Sequence, residues 1–356
     1  MAILHGGQLS RVAKQYRIPE QQWLDLSTGI APFSYPIPEF PLQVWQDLPT
    51  ISGRLIDAAK AYYQADYCWP LAGSQALIEK LPELWNEKKR LTNLNNVNSV
   101  NGVNNLNNLS AEKHAYLPKV GYKEHQQAWF KAGYQLHFYQ QYLPTDIEKN
   151  SVVVVINPNN PLTDTFNVKQ LKNLQKHCQQ QQALLIIDEA FADILAPEFS
   201  FVTNLSTLNQ TADVIVLRSF GKFFGLAGLR IGFVCSTKQW CESIQQSNGP
   251  WSINGAALFI AEQALQDKVW QAEQLQRLQK QSETMQALIQ TYLPVLRLEA
   301  NALFITVFLD DAPAVYEQLC KQAVYVRLTD ENDSLRFGIT DQSKMEQLIL
   351  ALSVIK

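Results

Sequence analysis

A chain of 356 residues, 46% apolar and 18% charged, has enough apolar material for a buried core and too little charge to stay disordered. That length exceeds what one core usually holds, so a large domain carrying a smaller one is expected. A formal net charge of −3 gives no broad basic footprint, which sets aside duplex nucleic acid and anionic membrane as partners and leaves a small molecule.

Met1 to Gln8 has neither a basic start running into an apolar stretch nor a small-residue cleavage site. No later segment is apolar and uncharged for long enough to span a bilayer, and a cytoplasmic protein is expected. Ala72-Gly73-Ser74-Gln75-Ala76 reads as a small-residue turn opening a helix, whose first N–H groups could receive a phosphate. Thr92 to Ser110 is dominated by Asn with scattered Leu and Val. Asn disfavours helix and strand alike, so a mobile surface insertion is expected there.

Short apolar runs then alternate with amphipathic stretches: Val152–Ile156, Val168–Gln181, Leu184–Asp188 and Val214–Arg218. This spacing predicts strand, helix, strand and strand in a mostly parallel sheet covered by helices, an α/β fold with its ligand at the carboxyl edge. Ala256 to Tyr292 is helical in character and bridges towards a C-terminal part. There an apolar run Leu303–Leu309, a helix over Ala314–Gln322, strands at Val324–Arg327 and Leu335–Ile339 and a last helix suggest a small α+β domain. The five cysteines (Cys68, Cys178, Cys235, Cys241, Cys320) contain no C-x-x-C pair and fit reduced, buried thiols. The five histidines lack metal-ligand spacing, and no metal is expected.

Lys222, in Ser219-Phe220-Gly221-Lys222, follows directly on a strand. A desolvated lysine, or one near another cation, loses its proton more easily and can form an imine with an aldehyde. Most lysines after strands are solvated loop residues; here Ser219 precedes it by three positions, and Arg230 lies eight beyond it in Gly228-Leu229-Arg230-Ile231-Gly232. Both suit a phosphate, Arg230 because its guanidinium fork donates in parallel. Asp188 ends a strand apolar enough to be buried on both faces, so its carboxylate needs a partner. The same string, Leu184 to Ala190, resembles the magnesium-holding strand of a P-loop ATPase. That reading requires G-x-x-x-x-G-K-[ST], whereas Gly221-Lys222 is followed by Phe223 and lacks the earlier glycine. Asn157-Pro158-Asn159-Asn160-Pro161 makes a turn with or without a ligand, although an amide there could also donate to one.

In this order, the turn at Gly73, the Asn-Pro turn, Asp188, Lys222 and Arg230 resemble the fold-type I aminotransferase superfamily of pyridoxal 5′-phosphate (PLP) enzymes, over nearly the whole chain. His5-Gly6-Gly7, Trp23 to Ile30 (WLDLSTGI), Gly73-Ser74-Gln75-Ala76 and Leu335-Arg336-Phe337-Gly338 resemble the branch that decarboxylates O-phospho-L-threonine in cobalamin biosynthesis. The resemblance implies a large domain with a seven-stranded sheet over residues 36–255, carrying the Asn-rich insertion at 92–110. Residues 1–35 would contribute to the small domain and the active site, and residues 256–356 would form the bridging helix and the small domain.

It also implies roles. Lys222 would bond the aldehyde carbon of PLP, Asp188 would pair with the pyridine nitrogen, Asn160 would contact the ring hydroxyl and Tyr122 would stack on the ring. Ser74, Gln75, Ser219 and Arg230 would hold the cofactor phosphate. Arg336 would bind the substrate carboxylate, while His5, Gly6, Gly29, Asn160 and Arg327 would line the substrate site and help receive its phosphate. A homodimer is implied as well. The chain departs from the wider pattern at Phe191, where many aminotransferases have tyrosine, at Asn159-Asn160-Pro161-Leu162-Thr163, which lacks Pro-Thr-Gly, and at Ala31 in place of an asparagine.

The implied product is (R)-1-amino-2-propanol O-2-phosphate. The bond that breaks is the one standing perpendicular to the cofactor ring, and no motif here fixes that angle. The first alternative is therefore an aminotransferase similar to histidinol-phosphate aminotransferase, which would need an amino-group acceptor. A transcription regulator with an aminotransferase-like domain would need a DNA-binding domain ahead of the match, which begins at His5. A catalytically idle relative is disfavoured by the intact Lys222 and Asp188.

Overall fold

The computed structural model describes residues 6–99, 112–209 and 212–355. The N-terminal part holds α1 (Leu9–Tyr16), β1 (Leu24–Asp25), α2 (Gln43–Gln46) and α3 (Gly53–Tyr63). Then come β2 (Cys68–Leu71), α4 (Ser74–Ser99), β3 (His114–Pro118), α5 (Lys123–Lys131), β4 (Gln135–Tyr139) and β5 (Val152–Ile156). They are followed by α6 (Val168–Gln180), β6 (Leu184–Asp188), β7 (Val214–Ser219), α7 (Phe220–Phe223), β8 (Gly232–Ser236) and α8 (Lys238–Ser247). Helices α9 (Gly255–Ala264) and α10 (Lys268–Tyr292) lead to β9 (Arg297–Ala300), β10 (Phe304–Phe308), α11 (Ala312–Lys321), β11 (Val324–Tyr325), β12 (Arg327–Leu328), β13 (Ser334–Gly338) and α12 (Met345–Ser353).

The seven-stranded sheet has the order β2-β8-β7-β6-β5-β3-β4, and only β8 runs against the rest. Strands β5 and β6 are buried at every position, as sheets covered on both faces require. Alternation divides their side chains: Val153, Val155, Leu185, Ile187, Val214 and Val216 pack into one cluster, and Val152, Val154, Leu184, Ile186, Ile215 and Leu217 into the other. Helix α6 starts where it does because Asn167 and Gln170 cap each other reciprocally, at 2.9 and 3.0 Å, a motif contributing about 1 kcal/mol. The α/β reading with a mostly parallel sheet holds. Among the described residues, no helix is long and apolar enough to cross a membrane.

A second, antiparallel sheet with the order β12-β13-β10-β9 forms a separate core with α10, α11 and α12, in which Ile305, Val307, Leu335, Phe337, Leu348 and Leu352 meet. The N-terminal strand β1 joins this part of the molecule by pairing in parallel with β11.

Three expectations are corrected. Helix α4 runs to Ser99, so the Asn-rich segment begins as helix; once a helix is nucleated, propagation outweighs the weak preference of single asparagines. Residues 100–111 lie outside the described residues. The continuous helix expected from Ala256 to Tyr292 is broken at 265–267, where the Asp267 side chain accepts from Trp270 N at 3.0 Å and starts α10 afresh. The single strand expected at Val324–Arg327 changes partner at Val326: Val324 and Tyr325 pair with β1, whereas Arg327 and Leu328 pair with β13.

Candidate active site

The carboxyl ends of β2, β3, β5, β6 and β7 open on one edge of the sheet. Because β8 is reversed, its amino end opens there too. Loops at this edge are the usual ligand position of an open α/β sheet. They form one cavity lined by Gly73, Ser74, Gln75, Tyr122, Asn160, Asp188, Ser219, Lys222 and Arg230, together with Ile156, Ala190, Phe191 and Ala227. All eight residues assigned from the sequence to the cofactor therefore meet in a single hollow.

Lys222 lies in the short helix α7 directly after β7, its Nζ 5.6 Å from the centre of the Phe191 ring. Burial against apolar groups, with the Arg336 and Arg230 guanidiniums next, lowers its pKa from 10.5 to about 8, although Asp188 opposes this. Asp188, 3% exposed, accepts from Ala190 N at 3.0 Å through Oδ1 and lies 2.8 Å from His125 Nε2 through Oδ2. Both oxygens are thus oriented, and the carboxylate faces the cavity from the floor.

His125 was not singled out from the sequence. It sits three positions after Tyr122, so the start of α5 presents both on one side, and three-residue spacing from a cavity residue was the available signal. Its ring is 1% exposed, and Nδ1 has no hydrogen-bond partner.

Helix α4 begins at Ser74, directing its first N–H groups, which have no intrahelical acceptor, at the cavity. Gly73 before it has φ +78°, and a side chain there would come 2.9 Å from Arg230 Nη2, so only glycine leaves room for that guanidinium. The Tyr122 hydroxyl donates to Gln75 Oε1 at 3.0 Å. Burial, then the Glu124 and Asp188 carboxylates, push the phenol up to about 12, so it keeps its proton near neutral pH.

Two of the asparagines in the Asn-Pro turn serve the loop: Asn157 exchanges hydrogen bonds with Phe166, and Asn159 donates to Val120 O and Asp164. Asn160 is left facing the cavity, where its Oδ1 accepts from Arg336 Nη1 while Arg336 Nη2 donates to Ser27 O. Arg336, on β13, thereby reaches the cavity's rim from the small sheet. Burial and the Arg327 guanidinium both disfavour its charge, a condition that an anionic ligand would relieve.

The remaining substrate residues are dispersed. Gly29 backs onto Phe191 and Phe304, where a Cβ would come 2.9 Å from the Phe191 ring. Gly6 lies against Ser27, whose Oγ accepts from Gly7 N at 2.7 Å. Arg327 pairs in register with Arg336 but opens into a neighbouring groove with Lys123 and Arg11, 3.9 Å from Asp330. His5 lies outside the described residues. Phe191 stands at the cavity wall without a hydroxyl, as its residue type requires.

Residues 55–352 match the model of the aminotransferase class I and II family. The threonine-phosphate decarboxylase of Pseudomonas aeruginosa is 33% identical over 98% of this chain and 96% of its own. A histidinol-phosphate aminotransferase of Ruminiclostridium cellulolyticum is 24% identical over 59% of this chain and 58% of its own. Among solved structures, the histidinol-phosphate aminotransferase of Sinorhizobium meliloti in complex with pyridoxal-5′-phosphate superposes with a TM-score of 0.75, at 16% identity, over 99% of this chain and 94% of that one. On the converging loops, the buried Asp188 and half-buried Lys222, and the match across residues 55–352, the chain belongs to the aminotransferase class I and II family.

Proposed function

We propose that the protein is a PLP-dependent decarboxylase that converts O-phospho-L-threonine into (R)-1-amino-2-propanol O-2-phosphate, a step of cobalamin biosynthesis. The observation that carries this reading is the single cavity in which Lys222, Asp188 and the phosphate-type donors of α4, Ser219 and Arg230 converge, in a chain similar to a threonine-phosphate decarboxylase from end to end.

The residues present fit the cofactor. An oriented, buried carboxylate suits a protonated pyridine nitrogen, and a lysine already biased towards the free amine suits the aldehyde carbon. The helix start with Gly73 and Arg230 forms a cradle for a phosphate, which a Cβ at position 73 would fill. When bound, PLP supplies an electron sink for the pair left at the substrate's α-carbon.

The chain's own groups supply the rest. Asp188, held by His125 and Ala190 N, presents its carboxyl group to the cavity in one fixed orientation. Lys222 can carry a proton to the α-carbon, because its pKa of about 8 leaves both protonation states accessible near neutral pH. Arg336, with Asn160 beside it, would receive the substrate carboxylate. His5, Gly6, Gly29 and Arg327 would border the rest of the substrate, with Arg327 meeting its phosphate.

The aminotransferase reading is less well supported, since the histidinol-phosphate aminotransferase relative matches over 59% of the chain rather than 98%. Running the reaction in deuterium oxide separates the two. Decarboxylation gives an amine with one deuterium at the carbon that lost the carboxylate, whereas transamination gives a keto product.

The reading includes a cytoplasmic homodimer. The exposed apolar side chains Ile37, Leu42, Trp45, Leu48 and Trp251 are the candidates for the subunit contact. Trp45→Glu should convert the species seen in sedimentation equilibrium to a monomer.

A further inference from the structure

Two cavity residues have neighbours in the chain that face away from the cavity. Glu189 follows Asp188 and Arg218 precedes Ser219, and strand alternation turns both to the opposite side of the sheet. The packing of the preceding residues fixes the sides: Ile186 and Leu217 lie in one cluster, Ile187 and Val216 in the other.

On that far side, Arg218 Nη1 lies 2.8 Å from Glu189 Oε2, and Nη2 lies 2.8 Å from Asp193 Oδ1. One planar fork therefore ties β7 to two separate points of the segment that follows β6. The group is enclosed: Glu189 is 0% exposed and accepts from Ser200 Oγ and Phe201 N, each at 2.6 Å. Asp193 Oδ1 also accepts from Tyr62 Oη at 2.9 Å, and the Tyr63 ring lies 4.7 Å from the guanidinium carbon.

The position of this group matters more than its existence. The ladder between β6 and β7 ends at Asp188 paired with Leu217, closed by Glu189 N donating to Leu217 O at 2.9 Å. Beyond that point the two chains diverge, one into the turn at Ala190 and the other into α7 with Lys222. The ion pairs bridge the divergence directly behind Asp188 and Ser219. Buried ion pairs are poor sources of net stability, and their best-attested use is to fix one arrangement among several.

We propose that Arg218, Glu189 and Asp193 form a positioning clamp that sets the spacing and tilt of Asp188 relative to Ser219 and Lys222, and hence the seat of the cofactor. This rests on the PLP reading given above. None of the three carboxylate and guanidinium groups lines the cavity of Lys222, so the clamp acts through the backbone of its neighbours. Arginine is required because its rigid fork reaches two carboxylates at once, which an ammonium on a flexible stem does not hold in a fixed plane.

The test uses Arg218→Lys, Asp193→Asn and Glu189→Gln. Arg218→Met would leave two carboxylates buried and unpaired, and Asp193→Asn, which retains the Arg218–Glu189 pair, guards against loss of the fold. Each protein is titrated with PLP, and three quantities are read: the dissociation constant, the visible circular dichroism per bound cofactor and the thermal midpoint. The clamp predicts that Arg218→Lys weakens PLP binding by about tenfold or more and alters the visible dichroism, as small misplacements of a site do. Asp193→Asn should change both in the same direction by less. A lowered thermal midpoint with unchanged affinity and dichroism overturns the clamp and leaves a purely structural ion pair. Failure of the wild-type protein to bind PLP overturns the functional reading and the clamp together, whereas normal binding by wild type and variants alike overturns the clamp alone.

Discussion

Lys222 is held in the cofactor-free protein at a cost that substitution should relieve. Its pKa falls from 10.5 in an unfolded chain to about 8 in the folded one, mainly through burial and then through Arg336 and Arg230. One pKa unit corresponds to about 1.4 kcal/mol, so the charged form is penalised by up to roughly 3 kcal/mol, less whatever cavity water screens. Between these two pKa values the unfolded chain binds more protons than the folded one, so stability rises with pH across that window. Below the folded value the penalty is complete; above the unfolded value it vanishes. Lys222→Met, neutral and of similar length, should therefore stabilise the apo protein by up to roughly 3 kcal/mol near pH 7 and by about half as much near pH 9.5. Urea unfolding of both apo proteins at the two pH values measures this. A methionine variant no more stable than wild type near pH 7, or with an advantage that does not shrink as pH rises, would refute the argument that the site presses Lys222 towards its free amine.

Other substitutions separate the remaining roles. Lys222→Ala should abolish both turnover and the visible absorbance that PLP acquires on the lysine, read in a simple spectrum of the reconstituted protein. Asp188→Asn removes a buried charge that also orients His125, and should weaken PLP by about 2–5 kcal/mol, measured by equilibrium titration. Arg336→Lys gives up a fork that spans Asn160 and the Ser27 carbonyl, and should raise KM for a carboxylate substrate by about tenfold to a hundredfold with a smaller change in kcat. Steady-state kinetics decides that case, and an unchanged KM would remove Arg336 from the substrate site.

What the sequence revealed follows from where its signals are local. Strands β5 and β6 are uninterrupted apolar runs whose ends are marked by Asn157 and Asp188, so their limits could be read directly, and with them the edge that carries Lys222. His125 escaped because its function depends on a partner 63 positions away, and its three-residue spacing from Tyr122 is too weak a signal to reveal that contact. The change of partner at Val326 escaped for the same reason, as β1 lies some three hundred residues earlier. The helix into the Asn-rich segment shows the opposite failure: composition argued against it, but the long run from Ser74 supplied the nucleus. The Arg218 fork combines both difficulties, since alternation along two strands hides it behind residues whose own roles were legible.

Decarboxylation is tested by mixing the purified, PLP-loaded protein with O-phospho-L-threonine, with no keto acid present, and following carbon dioxide and product mass together. Carbon dioxide should be released in step with aminopropanol phosphate. No release, with amino transfer appearing only after 2-oxoglutarate is added, would contradict the decarboxylase reading.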